Sequence, residues 1–113
     1  MKNLKDLADY IKRNKRYNCG LFCSIDGFTI PLNDAFYLAD KKEYWFLADS
    51  DSVAISTDSI LSDAYKYPVI ELVVGSEEIG CIKSVKGFHT EYGIESFGER
   101  NLVILDCWTI IIL

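Results

Sequence analysis

The spacing of apolar and polar positions changes several times along the chain, and each change predicts an element. Over residues 3–16, Leu4, Leu7, Ala8 and Ile11 recur at i, i+3, i+4 and i+7, the single apolar stripe of an amphipathic helix. Asn3 is placed to cap its first turn, since its side-chain oxygen can accept from an orphan backbone N–H. Lys12, Arg13, Lys15 and Arg16 gather at the other end, where the helix dipole favours cations, and Asn18-Cys19-Gly20 reads as the stop.

The period then shortens to two. Asp26-Gly27 lies between apolar runs, the pair preferred in a two-residue hairpin turn because both positions need positive φ. Closing the turn there pairs Ile25 with Phe28, Cys23 with Ile30 and Leu21 with Leu32, six apolar residues on one face, with Ser24 opposite Thr29 on the other. Pro31 has no N–H for a ladder, so the second strand is expected to end there or to lie at an edge. A second hairpin follows around Asp40-Lys41-Lys42-Glu43. Alternation sets Phe36, Leu38, Trp45 and Leu47 on one face and Tyr37, Tyr44 and Phe46 on the other, so it is either covered on both sides or exposes an aromatic patch.

Further on, Thr57-Asp58-Ser59 starts a short helix that Pro68 closes, and residues 69–74 form a strand ended by Gly75. Residues 79–85 suggest another strand, and the stretch from Gly87 to Asn101 suggests turns around short extended pieces. Residues 102–113 are strongly β-prone but too long for one strand, which predicts a bend near Asp106 or Cys107. The expected fold class is α+β: a mostly antiparallel sheet of about six to seven strands, an N-terminal amphipathic helix and one short internal helix.

Composition narrows the class further. With 113 residues, 50% of them apolar and 13% aromatic, the chain fits one domain over residues 1–113 and is far from a disordered composition. Neither collagenous nor low-complexity readings survive seven Gly and two Pro. Residues 102–113 are the longest apolar run, short of the roughly 20 that span a membrane, and the N-terminus is charged where a signal peptide is apolar. A cytoplasmic protein without membrane contact is therefore expected, with Cys19, Cys23, Cys81 and Cys107 as free thiols.

Candidate chemistry is sparse. Cys19 and Cys23 form a C-x3-C pair, but Cys81 and Cys107 are 26 residues apart and supply no second pair for tetrahedral zinc. His89, the one histidine, would have to serve as base for any cysteine nucleophile, and no cysteine stands in a nucleophile context. Glu71 and Asp106 interrupt apolar strands, which suits an acid–base pair or simply the solvent face of a half-buried strand. Asp49-Ser50-Asp51-Ser52 begins like a calcium loop but lacks its glycine and terminal glutamate. No catalytic residue, metal ligand or cofactor is assigned.

Charge carries more information. Residues 1–16 hold six basic and two acidic residues, net +4, whereas the remaining 97 hold six basic and fifteen acidic ones, net -9. An acidic body repels nucleic acid at long range, which disfavours that partner, although Lys12, Arg13, Lys15 and Arg16 beside Tyr10 and Tyr17 keep a nucleic-acid binder as an alternative. Residues 26–78 carry eleven acids against three lysines, interleaved with Tyr37, Tyr44, Trp45 and Phe46. Aromatic anchors among charges of one sign suit a protein interface, in which rings fill pockets and charge steers a basic partner.

The expected function is thus a small acidic protein-binding module, a non-catalytic inhibitor or immunity-type protein, docking on a basic site of a larger protein. Its expected contacts are Tyr37, Asp40, Glu43, Tyr44, Asp49 and Asp51. A small enzyme or metal- or ligand-binding protein using the cysteines, histidine or carboxylates is a further alternative. The apolar run 110–113 also suggests a homodimer through an edge strand.

Overall fold

The computed structural model describes residues 3–25, 27–69, 71–77, 94–97, 100–105 and 108–113. The expected strand over 79–85 and residues Asp26, Cys81, His89, Asp106 and Cys107 lie outside the described residues. Two helices and seven strands run along the described chain: α1 (Leu4–Arg13), β1 (Leu21–Ile25), β2 (Phe28–Leu38), β3 (Glu43–Ala48), α2 (Thr57–Asp63), β4 (Glu71–Glu77), β5 (Ile94–Phe97), β6 (Arg100–Leu105) and β7 (Trp108–Ile112). The architecture is α+β. Among the described residues no helix is long and apolar enough to cross a membrane.

The predicted stripe Leu4, Leu7, Ala8 and Ile11 is fully buried, and the Asp6 N–H donates to the Asn3 side chain at 2.9 Å. The helix stops earlier than Asn18. Lys15 turns left-handed at φ 53, and the N–H groups of Lys15 and Arg16 donate to the carbonyls of Lys12 and Ile11 at 3.3 and 2.9 Å. That double bond pattern satisfies the orphan carbonyls and ends a helix, here with lysine in the position usually held by glycine.

The first hairpin has the expected register, Ile25 opposite Phe28 and Cys23 opposite Ile30, with Gly27 at φ 82. Two details differ. Phe28 is exposed rather than in the core, and Leu21 and Leu32 are held through Ile55: the Leu21 N–H donates to the Ile55 carbonyl at 3.0 Å, and the Ile55 N–H to that of Leu32 at 2.7 Å. Nor does β2 stop at Pro31. It continues to Leu38 as an internal strand, pairing first with β1 and then, from Leu32 on and across a bulge between Leu32 and Asp34, with β3. Pro31 faces Phe22, one step off the hydrogen-bonded pair Cys23–Ile30, so its ring nitrogen turns away from β1. Pairing with β3 begins only at Leu32, so no strand requires an N–H from Pro31.

The strand order is β5-β6-β4-β3-β2-β1-β7. The sheet is mixed, because β3 and β4 are parallel; α2 lies in the long crossover that such neighbours need. Gly75 sits within β4, opposite Ile104, and does not end it. The order also requires curling. β6 and β7 stand second and last in the sheet, yet only residues 106–107 separate them, so Leu105 and Trp108 lie within roughly 11 Å. The bend expected near Asp106 or Cys107 falls on residues outside the described ones.

Leu4, Leu7 and Ile11 of α1 belong to one buried cluster with Leu21, Cys23, Ile25, Tyr44, Phe46 and Val74 of the sheet. On the other face of β3, Trp45 and Leu47 form a second cluster with Leu102, bordered by Phe36 and Val73. The β2–β3 hairpin is therefore apolar on both sides because β3 is buried on both.

Candidate functional site

The six expected contact residues do not form one patch. Asp40 is exposed in the turn between β2 and β3, and Glu43 opens β3, its Oε1 accepting from the Trp45 indole N–H at 3.3 Å. Asp49 and Asp51 follow the opposite end of that six-residue strand, on the order of 20 Å away. The Asp49 carboxylate closes its own loop, accepting from the Asp51 N–H at 3.0 Å and the Ser52 hydroxyl at 2.8 Å, so it is a turn-former rather than a free charge.

Tyr44 requires a correction. Its side chain is 1% exposed, packed edge-on against Phe46 in the main core, and its hydroxyl donates to Asp63 Oδ2 at 2.5 Å. It offers no ring to a partner. Burial above all, then the Asp63 hydrogen bond and charge, hold this phenol far above its ordinary pKa, with Tyr67 and Asp34 adding in the same direction.

Tyr37, opposite Tyr44 in the register, is half-buried and stacks on Tyr67, with ring centroids 4.6 Å apart and planes 15° from parallel. Tyr67 is 38% exposed, and its N–H donates to the Asp63 carbonyl at 3.3 Å. Tyr44 on the neighbouring strand and the Tyr67 stack thus flank Tyr37 at the sheet end. One register step further, Glu43 and Glu71 stand side by side on β3 and β4, with Asp40 in the adjoining turn. Sequence reasoning missed Tyr67; the available signal was Pro68, which steers the preceding residue into extended backbone and away from the helix.

The end of α1 makes a second surface of opposite sign. Lys12, Arg13, Lys15 and Arg16 are exposed, as are Tyr17 at 51% and Tyr65 at 60%. The Lys12 ammonium donates to the Tyr65 hydroxyl and lies 4.3 Å from its ring centroid. That hydrogen bond chiefly raises the Lys12 pKa, and Tyr17 and Asp9 are near enough to add to it. The connecting loop is fastened from below. Buried Thr57 donates its hydroxyl to the Arg16 carbonyl at 2.6 Å and accepts from the Cys19 N–H at 3.2 Å, while the Asn18 N–H donates to Asp58 at 3.0 Å.

Cys23 is buried and Cys19 half-buried, its thiol donating to the Tyr17 carbonyl at 3.4 Å. Among the described residues no group of three or more His, Cys, Asp or Glu side chains is arranged to hold a metal ion. No protein-family model matches the chain, and no curated protein or solved structure is similar to it.

Proposed function

We propose that this chain is a non-catalytic protein-binding module of the inhibitor or immunity type, acting in the cytoplasm on a basic site of a larger protein. The contact is centred on the stacked Tyr37–Tyr67 pair, with Asp40 in the adjoining turn and Glu43 and Glu71 at the same sheet end, one register step on and on the opposite face. The observation that supports this reading is the stack itself: two rings, Tyr37 opposite Tyr44 in the register and Tyr67 tied through its N–H to the Asp63 carbonyl, with Tyr67 open to solvent. Rigid tyrosines lose little entropy on binding and recur among the residues that dominate interface energies. The acids beside them raise the encounter rate with a cationic surface. Asp49 and Asp51 lie at the far end of β3 and are left out of this contact.

Affinity capture from the source cells, with the wild-type chain and a Tyr37→Ala/Tyr67→Ala variant as paired baits, identifies the partner as the protein that only the wild type retains. Each alanine is expected to weaken binding by about 2 kcal/mol or more. Asp40→Asn with Glu71→Gln is expected to slow association and flatten its salt dependence, with little change in dissociation. A partner held equally by the double-alanine variant rules this surface out.

A further inference from the structure

We infer that the exposed cations and tyrosines at the end of α1 form a binding site for single-stranded nucleic acid, made by side chains other than the Tyr37–Tyr67 pair, although Tyr65 stands only two positions from Tyr67. Lys12, Arg13, Lys15 and Arg16 are exposed within one helical turn and the loop after it, and among the described residues no carboxylate forms an ion pair with Arg13, Lys15 or Arg16. Asp9 and Asp58 are the nearby acids; one Asp58 oxygen is engaged by the Asn18 N–H, and the local balance stays positive. The loop that presents the cations is pre-formed. Lys15 and Asn18 hold left-handed backbone at φ 53 and 54, and Thr57 bonds to both ends of it.

Charge complementarity calls for an anionic occupant, and three observations choose among anions. The apolar stripe of α1 is fully buried, which leaves the helix no face to insert into a lipid surface. Asp6 and Asp9 are exposed on the same helix upstream of the cations, so a duplex groove tracking the helix would meet more carboxylates than a strand crossing only its end. Tyr17 and Tyr65 stand open beside the cations, and ring faces next to phosphate-binding side chains are the combination that holds unpaired bases. An acidic protein segment would use the cations but not the rings.

The test is fluorescence anisotropy of a labelled 12-nucleotide oligouridylate with the full chain. Four phosphate contacts on a single strand predict an affinity that falls roughly 50-fold between 50 and 200 mM salt. Arg13→Gln/Lys15→Gln/Arg16→Gln is expected to abolish binding. Tyr17→Ala is expected to weaken it at least about fivefold while leaving the salt slope unchanged, which separates stacking from charge. These side chains are exposed, and circular dichroism matching the wild type verifies that the variants fold. No binding at 50 mM salt overturns the inference. So does a duplex of equal length that binds more tightly, polyglutamate that competes as well as oligouridylate, or a Tyr17→Ala variant with wild-type affinity.

Discussion

The Tyr44 hydroxyl is paired with the Asp63 carboxylate at the edge of the core. Replacing Tyr44 with Phe keeps the ring packing and leaves the carboxylate without its donor, an expected loss of about 1–3 kcal/mol in urea denaturation. The same pair sets an alkaline limit. A phenol whose folded pKa is raised above its unfolded value of 10.0 contributes stability that is fully present below that pH and lost as pH rises above it. The thermal stability of the wild type is therefore expected to fall from about pH 10 upward, and Tyr44→Phe to remove that part of the slope; identical alkaline profiles would refute the assignment. Alternation along β3 did not reveal Tyr44 as core. Tyr44 and Phe46 alternate with Trp45 and Leu47, and when both faces are apolar the period does not say which one is inward. Its partner Asp63 is 19 positions away, beyond any local pattern.

At the scale of elements, α2 is tied to the rest of the fold by its first residue. Thr57 is fully buried, donates to the Arg16 carbonyl and accepts from the Cys19 N–H. Thr57→Val keeps the shape and strands both backbone groups, so a loss of about 1–3 kcal/mol is expected, with faster amide exchange at Cys19 as the local signature. The elements legible in the sequence, α1 and the first hairpin, are those whose instructions are local: a 3.6-residue stripe with a cap, and an Asp-Gly turn between alternating runs. The continuation of β2 past Pro31 was not legible. It depends on which side of the ladder the proline nitrogen faces and on Ile55 closing the gap between Leu21 and Leu32. The parallel pairing of β3 with β4 was hidden for a similar reason, since two apolar strands do not encode their relative direction. Of the proposed contact, Tyr37, Asp40 and Glu43 can be named from the sequence alone, whereas Tyr67 joins Tyr37 only through the tertiary fold.

For the whole molecule, the uneven charge of the sequence is carried into different elements. The cations at the end of α1 and the acids at the turn end of the β2–β3 hairpin occupy different elements, so the two proposed contacts have opposite preferences in partner charge. Order along the chain also differs from order in space. β1 and β7 are neighbours, with Leu21 opposite Ile112. Partners roughly 90 positions apart must meet before their hydrogen bonds can repay the lost chain entropy, so refolding on a timescale of milliseconds to seconds is expected in stopped-flow fluorescence. Until they meet, β1 offers its unpaired side, with the core residues Leu21, Cys23 and Ile25, to any other chain nearby. Yield of refolded protein should therefore fall with concentration even where the native state stays soluble, a kinetic hazard set by strand order rather than by stability.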